Sequence, residues 1–335
     1  MIDTFNRRRN KTNNGMMPKH ANRQNTHAVM FHHFHNEHHP VSQGSISGEQ
    51  FSLMLDWLSE RYRLIDADEY LRKLDRNELE PLDICLTFDD ALLCQSEIAV
   101  PILRSRNLRG FFFVYSSPLT GQPDYLEIYR FFRRTRFGSI NEFYQEFFES
   151  ARTMTGDEYD VAEKEFDSRE YLKPSTFYTP VDKWFRFLRD HVLGRERYGE
   201  IMSILMRQRG FEPREIMSKL WMSNAHLKEL ASDGHLVGLH SFSHPTTMQL
   251  LDSDAQRREY AMNFEHLRGV LDSPPVSMSH PCGNYNDDTL SLLADLGIRI
   301  GFRCNNSITS IRSVLEVPRE DHAIVLREMQ ASSSS

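Results

Sequence analysis

Two aspartates, Asp89 and Asp90, follow the short apolar run Ile84–Phe88. Neighbouring carboxylates at the end of a buried strand can divide their labour. One binds a cation, and the other, beside the ion's water, serves as general base. The plain alternative is a helix N-cap, because Asp is common where a strand feeds a helix. A second constellation, His240-Ser241-Phe242-Ser243-His244, follows the run His235–Leu239. Two imidazoles four residues apart on a turn leaving a strand can converge on one ion. Taken alone, either motif is ordinary loop chemistry. Together they supply a two-histidine, one-carboxylate set that leaves coordination positions open for water and substrate, as a catalytic site needs.

Three further stretches carry polar groups to the same kind of position. His280-Pro281-Cys282-Gly283-Asn284-Tyr285-Asn286 is a Pro/Gly-stiffened loop after a short strand, with Asn286 able to cap the next helix. Val317-Pro318-Arg319-Glu320-Asp321-His322 could send Arg319 and Asp321 to a barrel mouth. In the histidine-dense stretch from His32 to His39, His32 or His33 could face that mouth and touch substrate, with the others on a loop. Arg130, Arg133, Arg134 and Arg136 make a short basic face; it could hold a sugar-linked phosphate, although a solvated face is the ordinary reading.

The segments that must position these residues alternate between strand and helix patterns. Strands are expected at Ala28–Phe34, Arg63–Ile65, Ile84–Phe88, Gly110–Ser116, His235–Leu239, Val276–Ser279, Arg299–Arg303 and Val314–Val317. Helices are expected over Ser47–Arg61, Asp66–Leu74, Glu97–Arg106, Ser223–Ser232, Asp252–Leu271 and Asn286–Leu296. Repetition of this unit implies a parallel sheet, and seven or eight units suit a distorted, TIM-like (β/α) barrel with functional side chains at the strands' C-terminal ends. Between residues 122 and 221 the strand signals fade and aromatics recur at helical spacing, which marks a helical insertion. The chain thus divides into a disordered arm (1–26), two barrel portions (27–121 and 222–328) around the insertion, and a disordered tail (329–335).

The bulk composition narrows the function. A formal charge of −7 argues against a surface built to grip nucleic acid or acidic lipid. The four cysteines form no CxxC pair, and the polar N-terminus has no apolar stretch of signal-peptide type. No apolar run approaches the roughly 20 residues of a membrane span. These features lead to the expectation of a cytoplasmic protein with reduced thiols, no nucleic-acid partner and no stable membrane insertion. The insertion offers a surface for oligomer contact.

The ordered set Thr87-Phe88-Asp89-Asp90, His240–His244 and the Pro281-x-Gly283-x-Tyr285-Asn286 loop resembles the polysaccharide deacetylase family (NodB homology domain, carbohydrate esterase family 4). Met30-Phe31-His32-His33 is similar to the strand that often opens its longer members. The resemblance spans residues 28–120 and 220–322. It implies a distorted (β/α) barrel that removes an N-acetyl group from a sugar of a cell-surface polysaccharide or its precursor, using a divalent metal. Zinc comes first, with cobalt, nickel or manganese as substitutes. By the same resemblance Asp89 matches the catalytic base, and Asp90, His240 and His244 match the metal ligands. Pro281, Gly283, Tyr285, Asp321, His32 and His33 fall on the substrate side, with a backbone N–H after Pro281 available for an oxyanion hole.

Three departures accompany the match. Ala91 stands where the family often has Gly. Ser277-Met278-Ser279-His280 replaces the segment with the usual arginine, and the late Leu-x-His motif is missing. Pro318-Arg319-Glu320-Asp321 is similar to the ending of a long subgroup linked to surface polysaccharides. The expectation is therefore that Arg319 orients Asp89 and that His280 or His322 protonates the leaving amine. Two rivals follow from the departures: a non-catalytic barrel that binds saccharide or a partner, and a hydrolase of another C–N bond (deformylase or allantoinase-like).

Overall fold

A computed structural model describes residues 27–172, 178–304 and 311–333, so the arm at 1–26 lies outside the described residues. Seven parallel strands form the path of the main sheet: β1 (His27–Phe31), β5 (Asp83–Phe88), β6 (Phe111–Val114), β7 (Leu236–Leu239), β8 (Ser277–Ser279), β9 (Ile300–Phe302) and β10 (Arg319–Asp321), in the order β10-β1-β5-β6-β7-β8-β9. Two short strands, β2 (Phe34–His35) and β3 (Ile46–Ser47), pair with each other, and β4 (Arg63–Leu64) pairs with β5. The barrel is all but closed by one short stretch that meets both edges. Val317 bridges Phe302 of β9, while two residues later Arg319 pairs with Ala28 of β1.

Period-two alternation decides which side chains fill the barrel. Cys85, Phe111, Phe113, Ile300 and Phe302 form one buried cluster, whereas Ile84, Leu86, Phe88, Phe112 and Val114 belong to a second that packs under the helices. The inward apolar layer ends above Cys85. The next inward positions on β5 are Thr87 and then Asp89, so the interior turns polar toward the strands' C-terminal ends.

Helices follow the strands. After α1 (Gly48–Ser59) comes α2 (Ala67–Asp75), which plugs one end of the barrel with Tyr70, whose ring lies 6.4 Å from both Phe111 and Phe302. A short α3 (Val100–Ser105) precedes β6. Between β6 and β7 the described elements are helical: α4 (Tyr125–Thr135), α5 (Ile140–Thr155), α6 (Asp157–Glu165), α7 (Pro180–Phe187), α8 (Gly194–Gln208) and α9 (Met217–Leu220). Their core is aromatic, with Phe147 packing edge-on to Phe185 at 4.9 Å. The block is stitched to the barrel where Met222 N donates to Ala91 O at 2.8 Å. The fold then continues through α10 (Asn224–Ser232), α11 (Ser253–Val270), α12 (Asp287–Asp295) and α13 (His322–Ser333). Ser223 and Asn286 cap α10 and α12 as the sequence suggests. No helix among the described residues is long and apolar enough to cross a membrane.

The end of the chain differs from the expectation. Val314–Glu316 is a 3₁₀ turn, not a strand, because Ser313 and Glu316 form a capping box. Pro318 has no N–H to give to a ladder, so the strand begins at Arg319. The helix that follows runs on to Ser333, beyond the point where the tail was expected to begin.

Gly238, in the middle of β7, sets how closely that strand approaches β8. A Cβ there would lie 2.5 Å from Ser277 O and 2.9 Å from a ring carbon of Phe113. Gly238→Ala is therefore expected to destabilise the protein by about 3 kcal/mol, the upper end of ordinary overpacking. A thermal melt coinciding with wild type would show that β7 and β8 can part without cost.

Candidate metal centre

Asp90, His240 and His244 each offer one ligand atom, and these atoms all lie within 4.8 Å of one another. His240 Nε2 is 3.4 Å and His244 Nε2 is 3.6 Å from Asp90 Oδ1. That oxygen is buried and accepts no hydrogen bond, a costly arrangement for a carboxylate unless a cation meets it. His240 Nδ1 lies 2.8 Å from the carbonyl oxygen of Ser279. A carbonyl can only accept, so Nδ1 carries the proton and Nε2 turns its lone pair toward Asp90. One carboxylate oxygen and two imidazole nitrogens suit a borderline divalent ion such as zinc, and the residues present fit one.

The charges point the same way. Burial would push Asp90 upward, but the close approach of His240 and the nearby histidine charges hold it far below the usual carboxylate range. Burial lowers His244 to about 4, keeping its ring neutral and able to ligate. His240 is raised: burial opposes its charge, and Asp89 and Asp90 together outweigh burial.

Asp89 occupies a different setting. Its oxygens receive the two ends of the Arg319 guanidinium, Nη1 to Oδ1 and Nη2 to Oδ2, both at 2.7 Å. Arg319, whose side chain is 0 % exposed, also donates to Thr87 Oγ1, Ser279 Oγ and Arg303 O. Burial alone would raise Asp89; Arg319, with His240 and His32, outweighs it and leaves the carboxyl below the ordinary range. Oδ2 also faces the rings of His32 at 3.8 Å and His240 at 3.9 Å.

The turn carrying the histidines is clamped from α11. Glu259 accepts from the Phe242 and Ser243 amides and from Ser243 Oγ, and Asn263 Oδ1 accepts from His240 N. Sequence reasoning passed over both residues. Their spacing of four places them on one helix face, but nothing local says that the face meets this turn.

The remaining expected site residues divide. Pro281 and Gly283 form a tight turn with Cys282 and Gly283 at positive φ, and a Cβ on Gly283 would run into Cys304. Tyr285 stacks on the His280 ring with centroids 4.2 Å apart, and its hydroxyl donates to Glu316. His280 is buried, hydrogen-bonds Leu315 O at 2.8 Å and is held by burial near 4. His33 pairs with Glu127 at 2.9 Å, and Asp321 accepts from the Ala323 amide at the start of α13. His322 calls for a correction as a proton donor to substrate. Both ring nitrogens sit on backbone carbonyls, Met30 O and Gly44 O, so the ring has no nitrogen to offer the barrel mouth. His32, read only as a substrate contact, is the imidazole that lies beside Asp89 while keeping 29 % of its side chain exposed.

Arg319→Ala is expected to leave Asp89 buried without a countercharge and to cost about 3–5 kcal/mol near neutral pH. In wild type the folded pKa of Asp89 is depressed, so its stabilisation is present above the unfolded pKa of about 3.9 and is lost as pH falls through the lower folded value. In the variant burial raises the folded pKa, so the sign reverses and the penalty should shrink on acidification as Asp89 takes up a proton. Urea unfolding of both proteins between neutral pH and the acid range checks this; a penalty independent of pH would mean that Arg319 serves packing and not charge.

Residues 213–301 match the family model described as polysaccharide deacetylase. The matched stretch contains both histidines of the centre and the Pro281–Gly283 turn, while Asp89, Asp90 and Arg319 lie outside it. The fold is similar to that of the Streptococcus pyogenes deacetylase PplD, solved in complex with acetate, at 17% identity and a TM-score of 0.52, covering 89% of this chain and 92% of that one. It is likewise similar to IcaB from Ammonifex degensii, at 16% identity and a TM-score of 0.52, covering 88% and 91%. A de-N-acetylase from Aggregatibacter actinomycetemcomitans gives 12% identity and a TM-score of 0.51, covering 88% and 93%. At these identities the likenesses speak to the fold. No curated protein matches the sequence.

Proposed function

We propose that this chain, whose residues 213–301 match the polysaccharide deacetylase model, is a hydrolase that removes the N-acetyl group from a sugar of a cell-surface polysaccharide or its precursor, with a divalent metal, zinc first. The observation that carries this reading is the unpartnered Asp90 Oδ1 aimed between two imidazoles, beside a second carboxylate held by an arginine.

When bound by Asp90, His240 and His244, the ion would polarise the acetyl carbonyl and make water acidic enough to ionise near neutral pH. Asp89 takes the water's proton at Oδ2, the oxygen that faces the centre. Arg319 holds both carboxylate oxygens so that this lone pair points inward, and keeps Asp89 ionised and ready to accept. The stiff turn after Pro281 offers a backbone N–H to the oxyanion that forms on the acetyl carbon. His32 returns a proton to the leaving amine, since it lies within 4 Å of Asp89 and reaches solvent, whereas His280 is buried against Leu315 O. Residues 122–221 act as an insertion bordering the substrate groove.

The reading is tested by metal content and acetate release. Wild type should carry about one ion per chain through its three protein ligands and release acetate from N-acetyl-hexosamine oligomers; His240→Ala/His244→Ala should lose both. Asp89→Asn should keep the ion but lose about 10²- to 10⁴-fold in kcat, the usual worth of a general base. Glu259→Ala, which frees the histidine turn, is expected to weaken metal binding by about 10- to 100-fold. A protein that takes up no ion even when zinc, cobalt or nickel is supplied would favour the non-catalytic saccharide-binding barrel.

A further inference from the structure

Against the helical block a cavity of about 350 Å³ opens between α4, α7 and the loop 41–43. Four arginines line it, Arg130, Arg133 and Arg134 from α4 and Arg186 from α7, against a single carboxylate, Asp182. Asp182 is already engaged. Its oxygens accept from Tyr144 Oη at 2.5 Å, from Thr179 N and Oγ1 at 2.9 and 2.8 Å, and from Gln43 Nε2 at 3.2 Å.

None of the four arginines makes an ion pair among the described residues. Arg130 donates to Gln43 O and Ser42 Oγ, and Arg134 to Val41 O. Arg186 lies on the Tyr178 ring at 4.0 Å, and Arg133 over Phe185 at 4.9 Å. Arg133 Nε is buried without an acceptor. Burial, then the charges of Arg189 and Arg133, disfavours the cationic form of Arg186. Guanidiniums gathered around one half-buried cavity repel one another, and a buried N–H without an acceptor costs about 1–3 kcal/mol.

A compact polyanion answers both problems. Phosphate oxygens match the planar guanidinium fork and bring more charge than one carboxylate can. The cavity also leads toward the metal centre. A smaller neighbouring cavity shares Ser42, Arg130 and Arg134 with it and continues to Glu127 and His33. The residue before His33 is His32, 3.8 Å from Asp89.

We propose that this arginine-lined cavity binds the phosphate or diphosphate group of a phosphorylated N-acetyl sugar, anchoring the anionic end of the substrate while its acetyl group lies at the metal centre. The anion site stands on the cavity itself; the identity of the substrate rests on the deacetylase reading above.

The test uses the full-length chain carrying Asp90→Asn, so that pyrophosphate cannot act through an ion at the metal centre. Inorganic pyrophosphate is titrated by calorimetry into this protein and into versions with Arg133→Gln, Arg186→Gln or the surface control Arg268→Gln added. Circular dichroism verifies that each is folded. Saturable binding weakened about tenfold or more by either cavity change, as loss of a charged hydrogen bond implies, and untouched by the control is the expected result. Two separate cavity variants guard against one failing to fold. Equal affinity in all versions, or no saturable binding, overturns the site.

A second arm measures acetate release by the metal-loaded protein from uridine diphosphate N-acetylglucosamine, from a short prenyl diphosphate N-acetylglucosamine and from neutral N-acetylglucosamine oligomers. A lower KM for a diphosphate sugar, lost in Arg133→Gln, supports the substrate assignment and shows whether the nucleotide or the lipid carries the group. Pyrophosphate binding with no such preference overturns the substrate assignment alone. Absence of acetate from every substrate sinks the deacetylase reading, while the calorimetry still decides the cavity.

Discussion

The forked contact between Arg319 and Asp89 sits inside the barrel, where a charge left alone would be severely penalised. The fork meets the carboxylate with two parallel hydrogen bonds, and its remaining donors reach Thr87, Ser279 and the carbonyl of Arg303. One side chain thereby ties together β5, β8, the exit of β9 and β10. A lysine could not do this, since its ammonium is a point donor without a plane. With Asp89 neutralised in this way, its neighbour Asp90 remains the uncompensated anion of the pair. Two adjacent carboxylates are thus set apart electrostatically, one held by a guanidinium and one left open to a cation, a separation made by the position of one side chain.

Backbone geometry gathers at the same place. Asp90, Ala91, Ser241, His244 and Cys282 all adopt positive φ, a conformation that costs most residues about 1–3 kcal/mol. Each lies just after a strand's C-terminal end, where the chain must turn sharply to present a side chain or amide to the barrel mouth. Ala91 keeps this conformation where a glycine is the commoner choice, and its carbonyl accepts from Met222 at the exit of the helical block. The Glu259 clamp on Phe242 and Ser243 does the same for the histidine turn. Hydrogen bonds from elsewhere in the fold hold these turns in place.

Much of this was legible from the residue order. The β-branched and aromatic runs at Ile84–Phe88 and Gly110–Ser116 could hardly be anything but buried strands, and their alternation with capped helices implied a parallel barrel, as found. Asp89, Asp90, His240 and His244 were visible because each pair follows such a run. Less visible were features that depend on partners far away. The closing strand was placed at Val314–Val317 because those residues are apolar. The real strand, Arg319–Asp321, is charged, since its inward side chain serves the site and not the core. The fate of His322 and the nearness of His32 to Asp89 depend on which backbone carbonyls lie within reach, and no local pattern encodes that. The arginines of α4 show the spacing of a helix face, but only packing against α7 and the loop 41–43 makes that face the wall of a cavity.

The closure of the barrel by residues 317–321 bears on how the molecule comes into being. Asp89 and Arg319 are 230 positions apart, and four of the seven strands of the barrel path, β6 to β9, and the whole helical block are translated between them. While the ribosome works through that interval, the growing chain holds both aspartates but neither the guanidinium that quiets the first nor the strand that shuts the wall around it. The Asp89 carboxylate therefore lacks its guanidinium partner until β10 emerges. The pair can form only when residues 317–321 slot between β9 and β1. A ribosome-bound chain stalled short of that segment would hold most of the fold's strands and helices and yet leave both the wall open and Asp89 without its countercharge.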